Sequence, residues 1–272
     1  MSEWLSEAAP AKINLALHVR KRREDGYHEL ETLFAFARDG DVLEAEPADA
    51  VTFDIEGPFA DGLDAGAANL VMRASHALRD RFEVGGGAAL RLEKNLPVAS
   101  GIGGGSADAA AALRLLCRLW GLDPEDPAVV DIATSLGADV PACLSSEATF
   151  GTGRGDVLFP FANPFSGAPL LLVNPLVAVP TGAVFAGWDG VDRGPLDITR
   201  PQDWRNDLTN PALRIAPAIG AVLDRLIEQS GANFVRMSGS GATCFGIFET
   251  DAARDAAADA FPDCWTLKTR LR

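Results

Sequence analysis

A glycine-rich segment that runs directly into an alanine-rich stretch is the feature that most constrains this chain. Residues 96–105 read LPVASGIGGG, and residues 106–116 read SADAAAALRLL. The first turn of a helix has backbone N–H groups without acceptors inside the helix, and the helix dipole adds partial positive charge there. Because glycine has no Cβ, an anion can approach such a backbone closely. The segment therefore predicts a phosphate-binding loop, in preference to a glycine-rich hairpin beside a helix.

Two common nucleotide-binding loops fit this segment poorly. A Walker A loop has a lysine after its last glycine, whereas Ser106 and Ala107 follow Gly105 here. A Rossmann fingerprint follows the first strand of a βαβ unit, whereas this segment lies deep in the chain and carries serine at the third glycine position. We therefore disfavour a P-loop nucleotidase and a nicotinamide-dependent dehydrogenase.

Composition and charge exclude further classes. The chain has 272 residues, 47% of them hydrophobic, which suits one large domain or two ordinary ones. A net charge of −14 argues against non-specific nucleic-acid binding. The four cysteines form no CxxC pair, and the acidic start of the chain has no apolar core of a secretory signal. We expect a cytoplasmic protein with a small-molecule substrate, no membrane or nucleic-acid partner and no evident obligate protein partner.

Hydrophobic periodicity predicts an α+β chain. Residues 11–19 alternate between apolar and other side chains, which predicts a half-buried strand. Strands over 28–37 and 41–46 are predicted to join in a hairpin at Asp39 and Gly40. Further strands are predicted over 51–55, 90–94, 170–173, 234–237, 244–248 and 265–270, with helices over 69–82, 106–120, 124–137, 217–229 and 250–260.

Local signals place the helix ends and the domain boundary. Ser106 is the predicted N-cap of the helix after the glycine segment, with Gly121 ending it and Pro124 starting the next. A turn is predicted over 151–155 and an irregular section over 175–210. The order of elements changes near residue 155, which predicts domains 1–155 and 156–272.

Five segments, spread over nearly the whole chain, resemble one family. They are PAKINL (10–15), DGYH (25–28), GGGSAD (103–108), GADVP (137–141) and GSGA (239–242). The glycine segment resembles the ATP-binding motif of the GHMP small-molecule kinases, and the five together resemble the 4-diphosphocytidyl-2-C-methyl-D-erythritol kinases. The resemblance implies an N-terminal ATP-binding domain, a C-terminal ferredoxin-like α+β domain and an active site in the cleft between them. It implies phosphoryl transfer from ATP, with Mg²⁺, to the 2-hydroxyl of a cytidine-diphosphate derivative of methylerythritol, in non-mevalonate isoprenoid biosynthesis.

Two residues are candidates for catalysis. Phosphoryl transfer to an alcohol needs positive charge near the transferred group and a residue that steers the hydroxyl proton. The resemblance assigns the base role to Asp139, whose alternative role is to cap the segment at Pro141. Lys12 would stabilise the transferred group, or it is an ordinary solvated strand lysine. Because residues two apart share one face of a strand, Asn14 and Lys12 can reach the same place.

The candidate ligand-binding residues divide into two sets. The resemblance places Tyr27, His28 and Phe185 at the cytosine, while Thr181 and Asn14 would contact the remainder of the substrate. Lys94 either reaches phosphate or is a solvated strand end. The predicted ATP-binding residues are Lys94, Pro97, Gly101, Gly103, Gly104, Gly105, Ser106 and Asn69. The Mg²⁺ ligands are unknown, although Ser106 is able to touch phosphate or metal. The alternatives are another GHMP kinase, acting on homoserine, mevalonate or a sugar alcohol, and a catalytically silent nucleotide-binding protein.

Overall fold

The computed structural model describes residues 4–272, so the acidic residues 1–3 lie outside it. The described residues form ten strands and eight α-helices. The strands are β1 (Leu5–Arg22), β2 (His28–Ala48), β3 (Thr52–Glu56), β4 (Gly87–Glu93), β5 (Thr149–Gly153), β6 (Val157–Pro160), β7 (Pro169–Asn174), β8 (Ala232–Met237), β9 (Cys244–Phe248) and β10 (Trp265–Arg270). The helices are α1 (Leu70–Arg81), α2 (Gly104–Trp120), α3 (Pro127–Leu136), α4 (Val140–Ser145), α5 (Thr181–Ala186), α6 (Thr209–Ile215), α7 (Ala218–Ile227) and α8 (Asp251–Ala258).

The chain divides into two compact units that are interleaved in sequence. Within the described residues, the first unit takes residues 4–11, 39–98 and 103–146, and the second takes 12–38, 99–102 and 147–272. This division differs from the predicted consecutive segments 1–155 and 156–272. The difference arises because β1 and β2 contribute residues to both units, and the N-terminal half of β2 pairs with β5 in the second.

The first unit combines part of a sheet with helices α1 to α4. The C-terminal half of β2 pairs antiparallel with β4, and β3 pairs parallel with β4. Helix α2 contacts α1, α3 and α4. Its alanines at 109–112 are fully buried, as expected for a helix that packs against neighbours on several faces. The alanine-rich stretch thus supplies a central helix that begins directly after the glycine segment.

The second unit contains a four-stranded antiparallel sheet in the order β10-β7-β9-β8. Helices α7 and α8 contact this sheet. Helix α7 buries Ile219, Val222 and Leu226 in the same hydrophobic cluster as Leu171 and Val173 of β7. The N-terminal part of β2 pairs with β5, which pairs with β6. The predicted α+β class is confirmed.

Two predictions about the first strands are wrong. Lys12, Asn14 and His18 are as buried as the apolar residues between them, so β1 is buried on both faces rather than one. Residues Asp39 and Gly40 form no hairpin, because β2 continues through them as a single strand. A Cβ on Gly40 would lie 2.0 Å from the Ala9 carbonyl oxygen. The glycine there permits a close approach of the β1 backbone.

Several local predictions are confirmed and others need correction. The predicted strands over 244–248 and 265–270 have the observed bounds, and α1 lies within the predicted 69–82. Helix α2 begins at Gly104, so Ser106 lies inside its first turn and is not the N-cap. Helix α3 begins at Pro127 rather than Pro124, because the Asp126 side chain accepts the Ala128 N–H at 2.8 Å. The section over 175–210 contains α5, a 3₁₀ turn at Pro201–Asp203 and the start of α6.

The predicted turn over 151–155 is shifted. Strand β5 includes Gly151 and Gly153, and the turn follows at 154–156. Through residues 4–272, no helix has both the length and the apolar character that crossing a bilayer requires.

Candidate active site

The start of α2 in the first unit is suited to an anion. Gly103 has a left-handed φ of 65°, and no side-chain cap is made there by the described residues. The first backbone hydrogen bond of α2 runs from the Ala107 N–H to the Gly103 carbonyl at 2.8 Å. The N–H groups of Gly104, Gly105 and Ser106 precede this bond, so they have no acceptor within the helix. Helix α2 therefore begins with three backbone donors and the positive end of its dipole.

Lys94 is not a solvated strand end. The residue is 3% exposed, and its Nζ lies 2.5 Å from Asp41 Oδ2 and 2.6 Å from Asp108 Oδ2. Although burial lowers the pKa of Lys94, the two carboxylates outweigh that effect and raise it. Lys94 is therefore a buried cation between two carboxyl groups.

Two other predicted residues of the first unit lie at helix starts. Asn69 is the N-cap of α1, where its Oδ1 accepts the Val71 N–H and its Nδ2 donates to the Asp64 carbonyl, both at 2.9 Å. Asp139 stands at the N-cap position of α4, directly after the turn at Gly137 that ends α3. Its carbonyl accepts the Cys143 N–H, but its half-buried side chain makes no capping hydrogen bond. Capping by the carboxylate therefore does not account for Asp139.

In the second unit, Lys12 and Asn14 lie on one face of β1, as their spacing predicts. Lys12 Nζ donates to Asn14 Oδ1 at 2.9 Å and lies 5.4 Å from the centre of the Phe34 ring. Asn14 Nδ2 donates to Thr32 Oγ1 at 2.8 Å. Both residues are less than 5% exposed, so the alternative of a solvated strand lysine is wrong. The amide of Asn14 is fixed between these two groups.

The middle of the glycine segment packs against a second glycine-rich loop, over 238–241. Gly101 has a φ of 79°, and a Cβ on it would lie 2.5 Å from the Ser238 carbonyl oxygen. Ser238 Oγ donates to the Gly101 carbonyl at 2.9 Å and accepts the Asn14 N–H at 3.1 Å. Asn206 Nδ2 donates to the Met237 and Gly239 carbonyls, each at 2.8 Å. This loop therefore connects Gly101 to Asn14 within the second unit.

The predicted base-binding residues form an aromatic cluster in the second unit. The His28 ring lies 5.1 Å from the Phe185 ring and 5.7 Å from the Trp188 ring, centre to centre. Burial, followed by the Arg22 guanidinium, lowers the pKa of His28. At neutral pH the imidazole is therefore uncharged and offers one donor and one acceptor, as base recognition requires.

The two remaining predicted substrate residues are exposed. The Tyr27 ring is 55% exposed and lies beneath the Arg154 guanidinium, 5.1 Å away. The Thr181 hydroxyl at the start of α5 lies 3.0 Å from the Ser240 hydroxyl. Tyr27 therefore borders the 154–156 turn, and Thr181 borders the 238–241 loop.

The chain matches both halves of one family. Residues 69–147 match the model described as GHMP kinases N terminal domain, and residues 197–266 match the model described as GHMP kinases C terminal.

The chain belongs to the GHMP kinases.

Relatives and solved structures agree with this family. Proteins named 4-diphosphocytidyl-2-C-methyl-D-erythritol kinase are 53% identical in Rhizorhabdus wittichii, covering 98% of this chain and 94% of the relative, and 51% identical in Novosphingobium aromaticivorans, covering 98% and 93%. A crystal structure of 4-(cytidine 5'-diphospho)-2C-methyl-D-erythritol kinase has a TM-score of 0.83 at 35% identity, covering 98% of this chain and 99% of that one. The mevalonate kinase of Methanococcus jannaschii, at 8% identity and a TM-score of 0.70 with 100% and 99% covered, shares the fold.

Sequence reasoning missed four residues that contact the candidate groups of this GHMP kinase. Asp108 stands in the GGGSAD segment, but its burial against Lys94 has no local signal. The sequence predicts Asp41 only as a strand residue. Trp188 lies in a section without periodicity, and Arg154 lies in a glycine-rich turn. All four reach their partners through tertiary contacts, which spacing along the chain does not reveal.

Proposed function

We propose that this GHMP kinase transfers the γ-phosphoryl group of ATP to the 2-hydroxyl of 4-diphosphocytidyl-2-C-methyl-D-erythritol, in non-mevalonate isoprenoid precursor biosynthesis. Relatives about half identical over nearly the whole chain bear the name of that kinase. The use of ATP as the phosphoryl donor follows from membership of the family. The cysteines form no disulfide within residues 4–272, which supports our further proposal of a reducing cytoplasm as the site of action.

The observation that carries this substrate is the neutral, buried imidazole of His28 beside Phe185. A flat base is recognised by stacking on a ring and by hydrogen bonds to its edge, and this pair offers both. Tyr27 adds an exposed ring to the same unit, and Arg154 restricts its orientation. Homoserine, mevalonate and sugar alcohols contain no nucleobase, so a base-binding cluster among the predicted substrate residues favours the cytidine substrate over them.

Two side chains would carry the chemistry. The substrate oxygen attacks the γ-phosphorus, the bond from that phosphorus to the bridging oxygen breaks, and ADP leaves. Asp139 would orient the hydroxyl and take its proton late, since a carboxylate is a weak base for an alcohol. Lys12 would stabilise charge on the transferred group, and Asn14, fixed by Thr32, would orient substrate hydroxyls.

ATP would be held by the glycine segment. The N–H groups of Gly104, Gly105 and Ser106 at the start of α2 would bind phosphate oxygens, with Gly101 and Gly103 shaping the backbone before them. Pro97 would shape the entry to the segment, and Asn69 would lie near the adenine. Mg²⁺ is a further proposal. The described residues contain no cluster of three acidic, His or Cys side chains, so the ion would be bound mainly by phosphate oxygens and water. Ser106 is the side chain expected to add an oxygen.

The test is ADP release with Mg-ATP and one of three alcohols: 4-diphosphocytidyl-2-C-methyl-D-erythritol, homoserine or mevalonate. We expect turnover with the cytidine substrate alone and a fall in kcat of about 100-fold or more in Asp139→Asn. Asp131→Asn, on the exposed face of α3, is the matched control and should retain full activity. Turnover with another alcohol would contradict the proposed substrate. ATP binding without ADP release from any of them would favour a silent nucleotide-binding protein.

A further inference from the structure

The first unit contains a buried ionic cluster, formed by Asp41, Lys94 and Asp108, that the proposed chemistry does not use. The three residues are 0%, 3% and 4% exposed, and the ammonium contacts both carboxylates at 2.5 and 2.6 Å. Burying charged groups costs free energy, and well-packed apolar residues in their place are often at least as stable. The cluster therefore calls for an explanation beyond stability.

The cluster reaches the glycine segment on both of its sides. Before the segment, Asp41 Oδ1 accepts the backbone N–H groups of Asn95 and Leu96, at 2.6 and 2.8 Å. After it, Asp108 belongs to the second turn of α2, and a Cβ on Gly104 would lie 3.1 Å from Lys94 Nζ. The ammonium therefore lies directly against the first residue of α2. One set of ionic contacts fixes both the entry to the segment and the helix that follows it.

The contacts of Lys94 leave its ammonium poorly placed to hold a phosphate itself. Its charge is compensated by two carboxylates, and its side chain is almost wholly covered. A direct bond to phosphate would require it to leave at least one of these partners. Asp108 Oδ1 is also buried and has no hydrogen-bond partner among residues 4–272. Burial raises the pKa of Asp108, opposed by Lys94, so a shared proton can reduce the excess negative charge.

We infer that Asp41, Lys94 and Asp108 are positioning residues for ATP, which hold the two sides of the glycine segment at a fixed separation so that the N–H groups at the start of α2 converge on its phosphates. The inference rests on the proposed ATP-binding role of that segment. The cluster acts through the backbone and touches no reacting atom. Loosening it should weaken ATP binding specifically, while the affinity for the alcohol substrate, which we assign to side chains of the second unit, is retained.

The main test compares Asp108→Asn with Glu44→Gln. Glu44 also forms an ion pair between β2 and β4, with Arg91, but that pair is half-exposed and contacts neither side of the segment. We expect Asp108→Asn to raise the Kd for Mg-ATP, measured by calorimetry, by about tenfold, with KM for ATP rising in parallel. KM for the cytidine substrate should change less than about twofold, and Glu44→Gln should match the wild type in all three values.

Hydrogen exchange gives a readout that does not depend on turnover. Amides of residues 103–107 should exchange faster in Asp108→Asn, and those of β9 should not change. If Asp108→Asn does not fold, Asp41→Asn is the second variant, because it weakens the same cluster from β2 and changes no residue of the glycine segment. An unchanged Kd for ATP in a folded variant would overturn the inference, as would equal losses of affinity for both substrates. Since ATP binding is measured directly, this result stands apart from failure of the proposed reaction.

Discussion

The glycine-rich segment is held by different chemistry in the two units. In the second unit, its middle packs against the 238–241 loop through neutral groups: a hydroxyl, backbone carbonyls and the close approach of Gly101 to Ser238. In the first unit, its two sides are held by the charged and hydrogen-bonding side chains of Asp41, Lys94 and Asp108. The close approach of Gly101 to Ser238 depends on the absence of a side chain, whereas the ionic contact depends on the presence of every partner. The two should therefore fail under different substitutions.

The largest effect is expected from Lys94→Met. It leaves two carboxyl groups buried without their cation, and breaking a buried pair in this way costs about 3–5 kcal/mol. Urea unfolding followed by circular dichroism measures the loss. Arg91→Met, which breaks the half-exposed pair with Glu44, should cost less than about 1 kcal/mol. Equal losses in the two variants would show that the buried ion pairs of Lys94 contribute no more to stability than the half-exposed pair of Arg91.

Gly101→Ala tests the neutral contact and should cost roughly 2–4 kcal/mol. A left-handed φ is unfavourable for alanine, and the added Cβ would lie 2.5 Å from the Ser238 carbonyl oxygen. The same urea experiment applies. Gly85→Ala is the matched control, because nothing lies within 4 Å of a Cβ there. A Gly101→Ala protein as stable as Gly85→Ala would show that the loops can separate at little cost.

Ser238→Ala removes a smaller part of the neutral contact. Its hydroxyl bridges the Asn14 N–H and the Gly101 carbonyl, so the variant removes the partner of a buried donor and of a partly buried acceptor. We expect a loss of about 1–2 kcal/mol in the free energy of unfolding. Ser240→Ala, whose hydroxyl contacts Thr181 instead, should lose less. The reverse order would mean that Ser238 does not connect the segment to β1.

The smallest expected effect is a pH dependence confined to the ionic side. Burial raises the pKa of Asp108, so between the ordinary carboxyl range and this raised value the native state binds more protons than the unfolded state. Stability therefore falls as pH rises through that range. Folding lowers the pKa values of His18 and His28, so their contribution makes stability rise with pH, in the range just below the usual pKa of histidine.

The measurement that isolates this effect is made above pH 7, where the two histidines no longer titrate. The stability of the wild type relative to Asp108→Asn should fall by about 1 kcal/mol between pH 7 and 9. Gly101→Ala and Gly85→Ala should retain the slope of the wild type. A constant difference across this range would show that Asp108 is already ionised at pH 7.

Features that depend on residues close together in the sequence could be predicted, whereas features that depend on residues far apart in the sequence could not. The periodicity of α1 and of β9 is local, and both elements appear where it predicts them. The spacing of Lys12 and Asn14 also holds, because two residues apart on a strand is a local relation. The turn predicted at Gly40 is wrong, since the glycine there makes room for the backbone of Ala9 on another strand.

The site divides in the same way. The glycine segment predicts an anion site because the glycines and the helix that follows them are adjacent in sequence. The cluster beside it joins Asp41 to Lys94 across 53 residues, and no pattern in either neighbourhood indicates that pairing. Trp188 is similar, because its contact with His28 depends on how the irregular section folds back. These partners become visible only when the packing is known.

The interleaving of the two units has a consequence for how the chain is made. Every residue of the first unit has been translated once residue 146 is added, so that unit can fold while the ribosome is still working. Residues 12–38 emerge early but belong to the second unit, where Leu17, Val19 and Leu30 pack with residues from β7 onward. The apolar residues within 12–38 must therefore wait for more than a hundred later residues before their partners exist. A nascent chain stalled between the two units should be the species that chaperones bind.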